Sequence, residues 1–230
     1  MLSGLRRYRD DHQSSLACGR PGWEALAPAC IFPRMNDTDL AGLLEFLRDA
    51  ERLKTVTRSA FTSTGEVESV AEHTWRLALM AALLAPQFPD VDGARLVRMC
   101  LIHDLGEAIG GDVPAPEQAR RRASGEEEGK AAGERRDLLT LLRPLPQSLR
   151  DEITGLWDEY EEAKTPEAKL AKALDKLETI LQHNQGRNPP GFDYRFNLGY
   201  GREHTGSPPL IAAIRAILDR ATEDRSLEES

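Results

Sequence analysis

From Met35 onward, apolar side chains return every three or four positions nearly to the end of the chain, a period of about 3.6 that commits it to packed helices. Leu40, Leu43, Leu44 and Leu47 share one side of a first helix, which Asp37 or Thr38 caps. Ser69-Val70-Ala71-Glu72 is a capping box and opens a second helix, with the stripe Val70, His73, Leu77, Met80 and Leu84. A third starts near Asp92, runs through Leu96, Val97, Cys100, Leu101 and His103, and is expected to stop at Gly110-Gly111. Ile153, Leu156, Trp157 and Tyr160 mark another. Thr165-Pro166-Glu167 supplies a capping hydroxyl and a first-turn proline for a helix carrying Leu170, Leu174, Leu177 and Leu181. The last begins near Pro209 with Leu210, Ile211, Ile214, Ile217 and Leu218. Between these, the charge-dense residues 117–136 read as a solvated loop or helix end, and 186–208, rich in Gly, Pro and Asn, as a long loop. No strand pair and no repeat is expected, so the fold class is all-α.

A chain of 230 residues approaches the upper size for one hydrophobic core, and its 40% hydrophobic residues suffice to build one. Residues 1–34 show no sustained period and contain Gly4, Gly19, Pro21, Gly22, Pro28 and Pro33. They are expected to form an irregular, dispensable extension to a domain over 35–225, with 226–230 a frayed polar tail. The net charge of −8 argues against binding nucleic acid polymers or anionic membranes through general electrostatics. No apolar run is long enough to span a bilayer, and the first residues lack the apolar segment of a secretory signal. Cys18, Cys30 and Cys100 form no CxxC pair and read as reduced thiols of a cytoplasmic protein.

Polar residues interrupt the apolar stripes at four informative places. His73 lies within the stripe of the second helix; His103 shares a face with Leu96 and Cys100, and Asp104 with Val97 and Leu101. Asp175 lies between Leu174 and Leu177, with Ala171 and Glu178 at helical spacing. A lone inward histidine is commonly a hydrogen-bonded core residue, and the carboxylates have an ordinary alternative in buried ion pairs with Lys172, Lys176 or Arg76. An inward carboxylate without a partner is costly, and one metal ion satisfies all four groups together. Mixed imidazole and carboxylate donors suit a borderline divalent ion. Catalysis needs open coordination positions, which favours Mn, Co or Fe over Zn or Mg.

The pattern H…HD…D resembles the metal-binding signature of the HD-domain phosphohydrolases. The strings SVAEHTWRLALMAALL, LIHDLGEAIGGDVPAP and LWDEYEEAKTPEAKLAKALDKLETIL are similar to its 5′-deoxynucleotidase branch over roughly residues 40–183. The GDVPAP stretch is far more specific than the His-Asp pair. The resemblance implies a compact helical bundle, a homodimer, and hydrolysis of deoxynucleoside 5′-monophosphates to deoxynucleoside and phosphate. Carried across residue by residue, it makes His73, His103, Asp104 and Asp175 the ligands of one divalent metal ion. It makes Glu107 and Asp112 the two acids beside the metal, sharing the roles of base and acid, and Arg58 the phosphate contact. Read from the residues alone, Glu107 is an acid at a helix C-terminus, where acids are disfavoured, and Arg58 fits a surface arginine before a loop equally well. Bacterial members often carry Arg-Trp where this chain has Arg58-Ser59. Phe61 is then the aromatic expected to help exclude a ribose 2′-hydroxyl. The implied reaction is direct hydrolysis, with water attacking phosphorus in line.

Other readings stay open at this point: a hydrolase of the same family acting on (p)ppGpp or a dNTP, a di-iron oxygenase, or a non-catalytic module that binds a nucleotide or a protein. The di-iron site needs extra ligands, and the sequence has no histidine between His103 and Asp175.

Overall fold

The computed structural model describes residues 35–124 and 127–228. The expected extension over 1–34, with Cys18 and Cys30, lies outside the described residues, as do 229–230. Helix α1, Asp37–Ala50, starts one residue earlier than the sequence suggests: Asn36 caps it, accepting from the Asp39 amide at 3.0 Å, while Asp39 accepts from the Asn36 amide. A 3-10 turn, Glu51–Lys54, leads into strand β1, Thr57–Phe61, which pairs antiparallel with β2, Val67–Ser69. Thr57 stands opposite Ser69 and Phe61 opposite Val67, with a register shift between them. This hairpin corrects the expectation of no strand pair. It is too short to show a period, but Gly65 marks its turn with φ +94°. The Phe61 carbonyl accepts from Gln182, and Thr62 accepts from the Arg187 amide at 2.9 Å.

Helix α2, Val70–Leu84, follows β2 with no intervening residue except its own cap, Ser69, and the expected capping box with Glu72 forms. Helix α3, Gly93–Ile102, is capped by Asp92. It ends at His103, so the expected continuation to Gly110 is corrected. The chain turns through residues 103–106 and resumes as the single turn α4, Glu107–Gly110. Gly106 permits that turn to press on the next layer, because a Cβ there would sit 2.8 Å from the Glu134 carbonyl. Helices α5, Ala115–Ser124, and α6, Glu127–Leu141, occupy the segment expected to be a solvated loop or helix end. Its Ala, Arg and Glu favour helix intrinsically, and buried Leu138 and Leu141 anchor the end of α6.

Helix α7, Gln147–Glu162, precedes α8, Pro166–Gln185, which Thr165 caps with Pro166 in the first turn, as expected. The long loop after it contains two single turns, α9, Phe196–Gly199, and α10, Arg202–Thr205. Buried Arg215 ties that loop to α11, Pro209–Glu228, by donating to the Asn197 carbonyl at 2.7 Å and the Tyr200 carbonyl at 2.6 Å.

Helix α8 is the axis of the domain and packs against α2, α3, α7 and α11. Leu170, Leu174, Leu177 and Ile180 are buried together with Leu77, Leu96, Met99 and Ile211. Each large aliphatic side chain so buried contributes about 1.5–3 kcal/mol. A second cluster, with Phe46, Leu105, Leu138, Leu142 and Trp157, holds α1, α4 and α6. The leucine side of α1 is largely outside both: Leu40, Leu44 and Leu47 are exposed, and the helix instead presents Phe46 and Gly42 inward. Gly42 lies against the Pro144 carbonyl, closer than any side chain allows. Among the described residues, no helix is long and apolar enough to cross a membrane.

Candidate metal centre

Helices α2, α3 and α8 converge at one end of the first core cluster, and each brings a polar group there. His73, His103 and Asp175 are buried, and one donor atom from each lies within 4.8 Å of the others. The Nε2 atom of His73 stands 3.3 Å from Oδ1 of Asp175 and 3.8 Å from Oδ2 of Asp104. The Nε2 atom of His103 stands 2.9 Å from the same Asp104 oxygen. In a continuous helix, adjacent side chains diverge by about 100°. The end of α3 at His103 lets His103 and Asp104 face one point. Structure thereby unites all four residues singled out in the sequence.

Both imidazoles are oriented by their other nitrogen. His103 Nδ1 donates to the Cys100 carbonyl at 2.8 Å, and His73 Nδ1 donates to Glu178. Each Nε2 is buried and has no hydrogen-bond partner. Two buried imidazole nitrogens that make no hydrogen bond, beside two carboxylates, fit a divalent cation, and leaving such groups unmatched is expensive. The protein's own charges already hold the carboxylates ionised. Burial opposes the charge on Asp104, but His103 and His73 keep its carboxyl well below the usual range. Burial likewise opposes charge on Asp175, and Lys176 with both histidines outweighs it. For His73, burial and Arg58 oppose protonation, yet Glu178 and Asp175 raise it to about 9. The ordinary ion-pair alternative is partly realised, because Lys176 donates to Asp175 Oδ2 at 2.9 Å. That leaves Oδ1 and both histidines unanswered.

The remaining expected residues surround an open, polar cleft over this centre. Arg58 enters from β1, not from a surface loop: it donates to Thr179 Oγ1 at 3.1 Å and lies 3.3 Å from Glu68 and 3.7 Å from Asp104. Glu107 begins α4, so the premise of an acid at a helix C-terminus is corrected. Burial, followed by Asp104 and Asp112, pushes its carboxyl up to about 10. Asp112 lines the cleft just past Gly111, whose φ of +78° turns the chain inward. Ser59 and Ala60 line the cleft, and Phe61, expected to act there, is not part of its lining. Sequence reasoning missed Tyr160, which donates to Asp175 at 3.0 Å, and Glu68 and Glu178, which are buried acids. Tyr160 and Glu178 stood on helices already read as amphipathic; Glu68 lies in the hairpin that was missed.

The family described as "HD domain" matches residues 50–214. The cattle (Bos taurus) protein 5′-deoxynucleotidase HDDC2 is 35% identical over 171 residues, covering 72% of this chain and 80% of that protein. The fission yeast (Schizosaccharomyces pombe) 5′-deoxynucleotidase hdd1 is 35% identical, covering 64% and 74%. Among solved structures, a predicted metal-dependent phosphohydrolase from Magnetospirillum magnetotacticum is 30% identical with a TM-score of 0.68, covering 81% of this chain and 97% of that one.

Proposed function

This chain belongs to the HD-domain family, and from that membership we propose that it is a metal-dependent phosphomonoesterase, a 5′-deoxynucleotidase releasing phosphate from deoxynucleoside 5′-monophosphates. The observation that carries the reading is the pair of buried histidine Nε2 atoms, neither hydrogen-bonded, converging on two ionised carboxylates at the floor of an open polar cleft. His73, His103, Asp104 and Asp175 would hold one divalent ion, with Mn, Co or Fe favoured over Zn or Mg because four protein ligands must leave coordination positions open for catalysis. When bound, it supplies Lewis-acid stabilisation of the phosphate and a water of lowered pKa.

The side chains divide the rest of the work. Arg58, held charged despite burial by Asp104, Glu178 and Asp112, neutralises the phosphate dianion and orients it over the centre. Thr179 and Glu68 fix that guanidinium before substrate arrives, so no reorganisation is needed on binding. Glu107 and Asp112 flank the same point. One takes a proton from the attacking water and the other returns one to the departing 5′-oxygen, the two-carboxyl division of labour. A cytoplasmic setting belongs to the same proposal, and among the described residues Cys100 is a buried free thiol. An exposed apolar ridge on α2, Trp75, Leu79 and Leu83, supports a homodimer.

Phosphate release from paired ribo- and deoxynucleoside 5′-monophosphates, in Mn, Co, Mg and Zn, tests the function. Turnover of the deoxy series that requires added metal is expected. Absence of turnover on every monophosphate, or equal turnover with chelator, overturns it.

A further inference from the structure

Glu178 lies outside the cleft lining and is fully buried, three residues past Asp175 on α8. A buried carboxylate that only stabilises a fold is poor value, since an apolar side chain of like volume serves as well or better. Both of its oxygens are committed. Oε2 accepts from His73 Nδ1, and Oε1 accepts from Arg76 Nε at 2.7 Å, with Nη2 of the same guanidinium 2.6 Å away in the ion pair. Arg76 Nη2 also lies 4.0 Å from Glu68, which in turn lies 3.3 Å from Arg58. Two carboxylates and two guanidiniums thus alternate along a buried line. One end is the imidazole that faces the metal position; the other is the arginine that faces the phosphate.

We infer that Glu178 is a positioning residue: by accepting from Nδ1 it fixes His73 in the tautomer and rotamer that present a bare Nε2 to the metal, and by holding Arg76 it locks that imidazole to the Glu68–Arg58 pair. This rests on the reading of the site as a metal-dependent phosphohydrolase. Without the acceptor, the neutral His73 ring is free to carry its one proton on Nε2 instead of Nδ1, or to rotate, and either change withdraws a ligand. Carboxylates that brace a ligating histidine in this way are typically worth about 10–100-fold in metal affinity or activity. Glutamine in place of Glu178 keeps the volume but turns one oxygen into a donor, which faces either the His73 N–H or Arg76.

The test uses full-length protein, with Mn or Co affinity measured by calorimetric titration of metal-free samples alongside the thermal midpoint, kcat and KM. Glu178→Gln is expected to bind metal about 10–100-fold more weakly. Its metal-free thermal midpoint should not fall in step. Glu178→Asp, which keeps the charge, should recover part of the affinity, and it carries the test if the glutamine variant does not fold. A folded Glu178→Gln protein with wild-type metal affinity overturns the inference, as does a Glu178→Asp protein no better than Glu178→Gln. Wild type that binds metal through this site yet hydrolyses no monophosphate overturns the proposed function and leaves the positioning role standing on its affinity data.

Discussion

Tyr160 donates its phenolic hydrogen to Oδ2 of Asp175 at 3.0 Å, so that Oδ1 is the oxygen left facing His73. The ring lies edge-on to His103, 5.1 Å between centroids, and Lys172 covers it at 4.0 Å. Removing the hydroxyl with Tyr160→Phe keeps the packing and leaves Oδ2 of Asp175 held by Lys176 alone. Metal affinity is expected to fall by about 10-fold with the fold intact. An unchanged dissociation constant would show that Asp175 needs no such brace.

Substitution of the ligand set gives the sharpest outcome. His103→Ala, Asp104→Ala and Asp175→Ala should each lose bound metal and phosphate release together, because each removes a donor from a convergent group. Metal content after dialysis, measured on the same samples as turnover, decides it. A variant that keeps full activity in saturating Mn or Co removes that residue from the set.

Glu107 separates chemistry from binding. Glu107→Gln should retain metal and nucleotide while turnover drops by roughly two to four orders of magnitude. The same variant makes a stability prediction of opposite sense. The Glu107 carboxyl is raised from 4.5 to about 10, so its contribution is complete below 4.5 and is lost as pH climbs towards 10. Metal-free wild type should therefore lose thermal stability across the alkaline range, and Glu107→Gln should lose less. The gain at high pH is about 2–4 °C for each kcal/mol recovered. Parallel melting curves for the two proteins from neutral to alkaline pH would refute the assignment.

Metal uptake should release protons. His73 is raised to about 9 when no metal is present, so at neutral pH an incoming ion displaces a proton from it. Affinity should climb about tenfold per pH unit for that one proton until pH nears 9. Calorimetry in buffers of different ionisation enthalpy counts the protons, and a pH-independent affinity would contradict the raised imidazole.

Much of this site could be read from spacing. The stripe of α2 placed His73 inward, and Leu174 with Leu177 did the same for Asp175, because α8 is buried around most of its girth. The caps at Ser69, Asp92 and Thr165 were equally legible, since each rests on a side chain within three residues of the backbone it satisfies. What escaped was decided at long range. The break at His103 depends on Gly106 meeting the carbonyl of Glu134, and the partner of Arg58 is Thr179, 121 residues away. Leu40, Leu44 and Leu47 obey helical spacing yet stay exposed, because periodicity shows which residues share a face and not which face is covered.

Ser69 serves at once as the last residue of β2 and the cap of α2, so strand and helix meet with no slack between them. The wall that carries Arg58 and the helix that carries His73 therefore cannot hinge apart without breaking a capping box. On the opposite wall, Asp112 follows two glycines, one of them in a left-handed conformation. The backbone bordering the centre is therefore taut where Ser69 joins strand to helix and built of glycine where Asp112 enters.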